Sequence, residues 1–140
     1  MTDVAKHLRL THAGALKMID AAVAKAGEIG VDMCISVVDD GGNLLAFVRM
    51  DGGKLLSIDS SFNKALTGVS GRVPSGGVPG DVEFKLAHAT SGKLTNLKAG
   101  LPIYVEGIVI GGIGVGSGTG EQDLEVAKAG IAAIGAGYEP

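Results

Sequence analysis

The sequence predicts an α+β fold, an antiparallel β-sheet flanked by α-helices, and three observations predict it. Two pairs of apolar, β-branched runs are each joined by a short glycine-bearing connection, the pattern of β-hairpins. Three longer segments carry apolar residues at three- and four-residue steps, the period of one helix face. The chain has 140 residues with no fixed repeat and no linker-like break in composition, so one domain over residues 1–140 with a single core is expected.

The first helix is expected from Thr11 to about Gly30, with Leu16, Ile19, Val23, Ala26 and Ile29 on its buried face. Thr11 can cap its N-terminus through the side-chain hydroxyl, and Gly27 and Gly30 mark its end. Met33–Val38 and Leu44–Val48 form the first hairpin around Asp39-Asp40-Gly41-Gly42-Asn43. A second helix spans roughly Lys54 to Ser70, its stripe being Leu55, Ile58, Phe62, Ala65 and Val69. Gly71 to Asp81 holds too many Pro and Gly residues for regular structure and is a candidate lid or pocket rim. A short helical turn is expected within Asp81 to Ser91, and a further short strand near Lys93 to Leu97 would bring the sheet to about five strands. Leu101–Val105 and Ile108–Val115 make the second hairpin around Glu106-Gly107. The last helix starts after Gly120, with Thr119 and Gln122 placed for a capping box and Leu124, Ala127, Ile131 and Ile134 as its stripe.

Composition narrows the function classes. The net charge is −3 with scattered cations, and there are only three Phe, two Tyr and no Trp, so neither a phosphate-neutralising stripe nor a base-stacking platform is expected; nucleic acid is not the predicted partner. The polar N-terminus lacks the apolar stretch of a signal peptide, and no run is long enough to span a bilayer, which predicts a cytoplasmic chain without membrane contact. The single cysteine, Cys34, lies in an apolar run where a buried, inert thiol is expected.

The segments Ser36-Val37-Val38-Asp39-Asp40-Gly41-Gly42-Asn43, Arg49-Met50-Asp51, Ser57-Ile58-Asp59 and Asn63-Lys64-Ala65 follow one another in the N-terminal half. Gly100-Leu101-Pro102, Glu106-Gly107, Gly111-Gly112-Ile113-Gly114-Val115, Ser117-Gly118 and Glu121-Gln122-Asp123 complete the succession. In this order the chain resembles the GlcG/HbpS family, also found as the C-terminal domain of PduO-type proteins. The resemblance implies a profilin-like sheet with helices on its faces, symmetric oligomers, and haem binding or haem-linked roles in some members.

The segment Gly111 to Gly120 is dense in glycine. It reads either as close helix-on-sheet packing followed by a turn, or as a nest of N–H donors for a carboxylate or phosphate at Gly116, Ser117 and Gly118. Gly112 and Asp123 are carried with that candidate ligand site. Arg49 and Lys64 supply cations inside the family motifs, against the alternatives of an Arg49–Asp51 contact and a solvated Lys64. No Gly-Lys-Ser/Thr, dinucleotide fingerprint, Gly-x-Ser-x-Gly elbow or paired metal-ligand spacing is present, so no dedicated metal site is predicted. His7, His12 and His88 are far apart; His12 can ligate haem iron or carry a proton, while a partly exposed first-turn histidine is the plainer reading.

Two functions remain. In one, a homo-oligomer binds haem or another small molecule in an apolar pocket between the second helix and the glycine strand, with Arg49, Lys64 and the Ser117 loop on a carboxylate. In the other, a small enzyme acts on an organic acid or ring-derived catabolic intermediate with Lys64 or His12 as proton carrier. Lys64→Ala is expected to cost only affinity in the binder and turnover in the enzyme.

Overall fold

The structure, a computed structural model, describes residues 2–140. Its elements are α1 (His12–Ile29), β1 (Cys34–Asp39), β2 (Leu44–Arg49), α2 (Leu56–Gly71), α3 (Gly80–Ala89), β3 (Gly100–Val105), β4 (Ile108–Gly116) and α4 (Gly120–Ala133). The strands form one antiparallel sheet in the order β2-β1-β4-β3. The sheet therefore has four strands, and residues 93–97 add none. Side chains satisfy that segment instead of a ladder: Thr95 donates its N–H to Thr67 Oγ1 at 2.9 Å, and the Asn96 amide bonds both the N–H and the C=O of Val78.

Because strand side chains alternate, the two sheet faces differ in character. Ile35, Val37, Leu101, Ile103, Ile113 and Val115 point to one side, where α1 and α4 cover them with Ala15, Met18, Ala22, Val126 and Ile131. On the other side Gly100, Gly112, Gly114 and Gly116 leave the sheet bare, and α2 lies directly on it. A Cβ on Gly114 would overlap the Ser61 carbonyl oxygen, and one on Gly100 would overlap that of Lys64. Within α2, Gly68 returns the fit against the Leu101 backbone.

This close approach shifts the buried stripe of α2 from that expected. The face of α2 toward the sheet is Ser57, Ser61, Lys64, Ala65, Gly68 and Val69, while Leu55 precedes the helix and is 75% exposed. A helix lying on glycine must present small side chains, so the larger apolar residues turn to the flank. In α1 the buried residues are Ala15, Met18, Ile19, Ala22 and Ala26, and Leu16 is exposed.

The expected caps form. Thr11 Oγ1 accepts from Gly14 N, Gly30 closes α1 in the left-handed region at φ 81°, and Thr119 and Gln122 make the reciprocal capping box of α4. The 72–79 loop is tied to the sheet by Ser75, whose N–H donates to Gly100 O and whose hydroxyl accepts from Gly100 N, both at 2.8 Å. It borders a cavity of about 250 Å³ with Val73, Pro74 and Val78, and so forms a pocket rim. The helical turn expected after it is the ten-residue α3, which buries none of its side chains. No helix of the described residues is long and apolar enough to cross a membrane.

Candidate functional site

The starts of α2 and α4 border one cavity near the end of the sheet where Cys34 of β1 lies opposite Gly116 of β4. The segments leading into the two helices are joined: Lys54 donates its N–H to Ser117 Oγ at 2.9 Å. Ser117 holds φ 99°, a conformation that costs a non-glycine residue energy and persists only where its surroundings impose it. Behind this contact Lys64 and Asp123 are buried together, at 5% and 2% exposure. The Lys64 ammonium donates to Val115 O at 2.7 Å and to Asp123 Oδ2 at 3.2 Å, and Asp123 Oδ1 accepts from Gly118 N at 2.9 Å. Burial raises the Asp123 carboxyl above the ordinary aspartate value, outweighing the Lys64 charge and the Gly118 N–H that pull it down.

A cavity of about 230 Å³ opens beside this pair. Lys54, Leu56, Ser57, Ser60, Leu97, Lys98 and Gly120 complete its lining with Lys64, Ser117, Gly118 and Asp123. Lys98 is paired with Glu121 at 2.7 Å, but both are largely exposed and such a pair is weak.

Of the residues singled out from the sequence, Lys64, Ser117, Gly118 and Asp123 share this cavity. Gly116 lies beneath it, where a Cβ would stand 3.1 Å from Ser57 Oγ. Gly112 does not reach it; a Cβ there would press on the Ala65 carbonyl oxygen and on Val69, so its role is helix packing. The pocket expected between α2 and the glycine strand is absent because the two backbones touch. Arg49 stands exposed on the edge strand β2, opposite Cys34, outside the cavity lining, and the alternative Arg49–Asp51 ion pair is not among those of the described residues.

His12 is also separated from the cavity. It is exposed at the start of α1, on the other face of the sheet, and Leu10 just before it packs near Gly111. Gly111 pairs with Asp39 at the far end of the β1–β4 ladder from Cys34–Gly116, roughly 17 Å away at 3.4 Å per residue. His12 and Lys64 therefore serve no common site within one subunit. Cys34 is buried, and desolvation raises its thiol, which suits an inert side chain.

Sequence reasoning missed Lys54, Ser57, Ser60 and Lys98 as neighbours of Lys64. Lys54 and Ser57 were accessible through their position at the start of α2, whereas Lys98 lies in an unpatterned stretch that only the fold brings near. A larger groove of about 460 Å³ runs between the Gly41-Gly42 turn, α2 and Leu94, with Phe62, Leu66 and Lys93 in its wall. None of the lining side chains of these cavities, nor of the apolar one at Phe47, is a His, Cys, Met or Tyr that could ligate haem iron.

Residues 10–132 match the family model described as haem degrading protein HbpS-like. The chain is 40% identical over 124 residues to an uncharacterized 15.0 kDa protein from the dhaT-dhaS intergenic region of Citrobacter freundii, covering 85% of this chain and 87% of that one. A crystal structure of a PduOC:heme complex superposes with a TM-score of 0.88 at 28% identity, covering 95% of this chain and all of the other. A crystal structure of HbpS superposes with a TM-score of 0.80 at 33% identity, covering 95% of each chain. With the family model matched over residues 10–132 and a relative 40% identical over 85% of the chain, this chain belongs to the HbpS-like family.

Proposed function

We propose that the chain is a small-ligand-binding protein that holds the acidic group of its ligand in the Lys64 cavity. The observation that carries this reading is the lining itself, three lysines and three serines around one carboxylate that Lys64 already neutralises. Haem is the first ligand to test, because one structural neighbour is a haem complex and haem carries propionates that such a cavity can receive. The macrocycle would rest outside the cavity, since pockets that enclose a whole organic ligand run to about 300–1,000 Å³. An axial ligand would then come from beyond the cavity wall.

Titration of the purified protein with haemin, followed at the Soret band, tests the haem reading. A saturable, stoichiometric shift is expected; a weak, non-saturating one sinks haem as the ligand and turns the search to small organic acids. Repeating it with His12→Ala and His7→Ala shows whether either imidazole supplies the iron.

Assembly into a homo-oligomer is part of this proposal. Leu44 and Phe47 of the edge strand β2 are 54% and 37% exposed, and with Ile58 and Phe62 they line an apolar groove of about 280 Å³. Light scattering is expected to give a mass above one chain, reduced by Phe47→Asp; a monomeric parent protein rejects it. A proton-transfer enzyme is the second reading, favoured by the raised Asp123 carboxyl on the cavity wall. Turnover of an organic acid by the purified protein, weakened in Lys98→Ala together with anion binding, distinguishes it; binding without turnover rejects it.

A further inference from the structure

We infer that the Lys64 cavity is an oxyanion site that seats one carboxylate or phosphate group, an inference that rests on the ligand-binding reading and names its ligand chemistry. Two helices of 16 and 14 residues, α2 and α4, begin at its wall, with Leu56, Ser57 and Gly120 in the lining. Each helix start carries partial positive charge and N–H groups without intrahelical acceptors. In α2 the N–H groups of Ser57 and Ile58 are taken by Lys54 O and Leu55 O, so that end contributes its dipole; in α4 the N–H of Gln122 is taken by Thr119 Oγ1 and that of Asp123 by Thr119 O, which leaves the Gly120 and Glu121 donors. The convergence of two such ends with Lys54 and Lys98 favours an anion.

A second, independent observation lies in the wall. Ser57 is fully buried, and among the described residues its Oγ has no hydrogen-bond partner. A buried hydroxyl without a partner is destabilising, and a ligand oxygen would supply the missing acceptor. Lys64 retains one of its three N–H donors after Val115 O and Asp123 Oδ2 are served. Two carboxylates stand near: Asp123, engaged by Lys64 and Gly118, and Glu121, engaged by Lys98 at the surface. At about 230 Å³ the site suits a small acid, or the acidic end of a larger molecule.

The test is titration of the full chain with inorganic phosphate and, separately, acetate, read by backbone amide shifts with sodium chloride as the reference. Saturable shifts centred on Ser57, Gly118 and Gly120 are expected for at least one anion, and which one saturates names the class of group. Ser57→Ala should weaken that binding roughly tenfold, the loss of one hydrogen bond to a charged group, while leaving the melting temperature equal or higher. Lys98→Ala, at an exposed position, should weaken it severalfold without risk to folding. Shifts that match those of chloride, or an affinity unchanged in Ser57→Ala, overturn the inference. Saturable haemin binding with no anion response defeats this site and the placing of the ligand's acidic group in it but leaves small-ligand binding standing; anion binding without haemin binding defeats only haem. Failure of both removes the reading on which the site rests.

Discussion

Lys64→Met should destabilise the protein by roughly 3–5 kcal/mol near neutral pH, the cost of breaking a buried ion pair and leaving one charge uncompensated. The stranded charge is Asp123, 2% exposed, whose remaining partner is the Gly118 N–H. Burial already makes the folded protein hold the Asp123 proton more tightly than the unfolded chain does. The folded state therefore binds more protons in the range above 3.8, and the contribution of this group to stability grows as pH falls through that range. Without the Lys64 ammonium the range extends to higher pH, so acidification should restore part of the loss. Adding Asp123→Leu should recover most of it by removing the unpaired charge. Urea unfolding across pH measures all three proteins, and a Lys64→Met variant as stable as the parent at neutral pH would refute the argument.

The burial of this pair also limits an expectation drawn from sequence. Lys64→Ala does not separate binder from enzyme, because its first effect falls on the fold. Ser57→Ala and Lys98→Ala probe the same cavity without opening the buried pair.

Gly114→Ala is expected to cost roughly 3 kcal/mol, at the upper end of ordinary overpacking because the obstacle is backbone. The new methyl would overlap the Ser61 carbonyl oxygen and crowd Ala65 N, so α2 would have to lift from the sheet. That movement would carry Lys64 away from Val115 O and Asp123, and anion binding should fall with stability. Gly27→Ala is the control. Nothing lies within 4 Å of its would-be Cβ, and alanine gains up to about 1 kcal/mol over glycine inside a helix. Equal stability of the two variants would show that α2 is not seated on the glycine surface as described.

The sequence by itself determined the element order, both hairpins, the caps at Thr11 and Thr119, and the α+β class, because each depends on residues a few positions apart. It also singled out Lys64, Ser117, Gly118 and Asp123, through glycine density and motif order. Tertiary structure decided which face each helix buries: periodicity favoured Leu16 and Leu55, but a glycine-bare sheet admits only the small face of α2. It decided that residues 93–97 are held by the side chains of Thr67 and Asn96 rather than by a strand. It separated His12 from Lys64 by placing them on opposite faces and at opposite ends of one ladder, and it brought Lys98 to the cavity. Such placements follow from strand order and from which backbone can approach which, and neither is encoded in the spacing of any single segment.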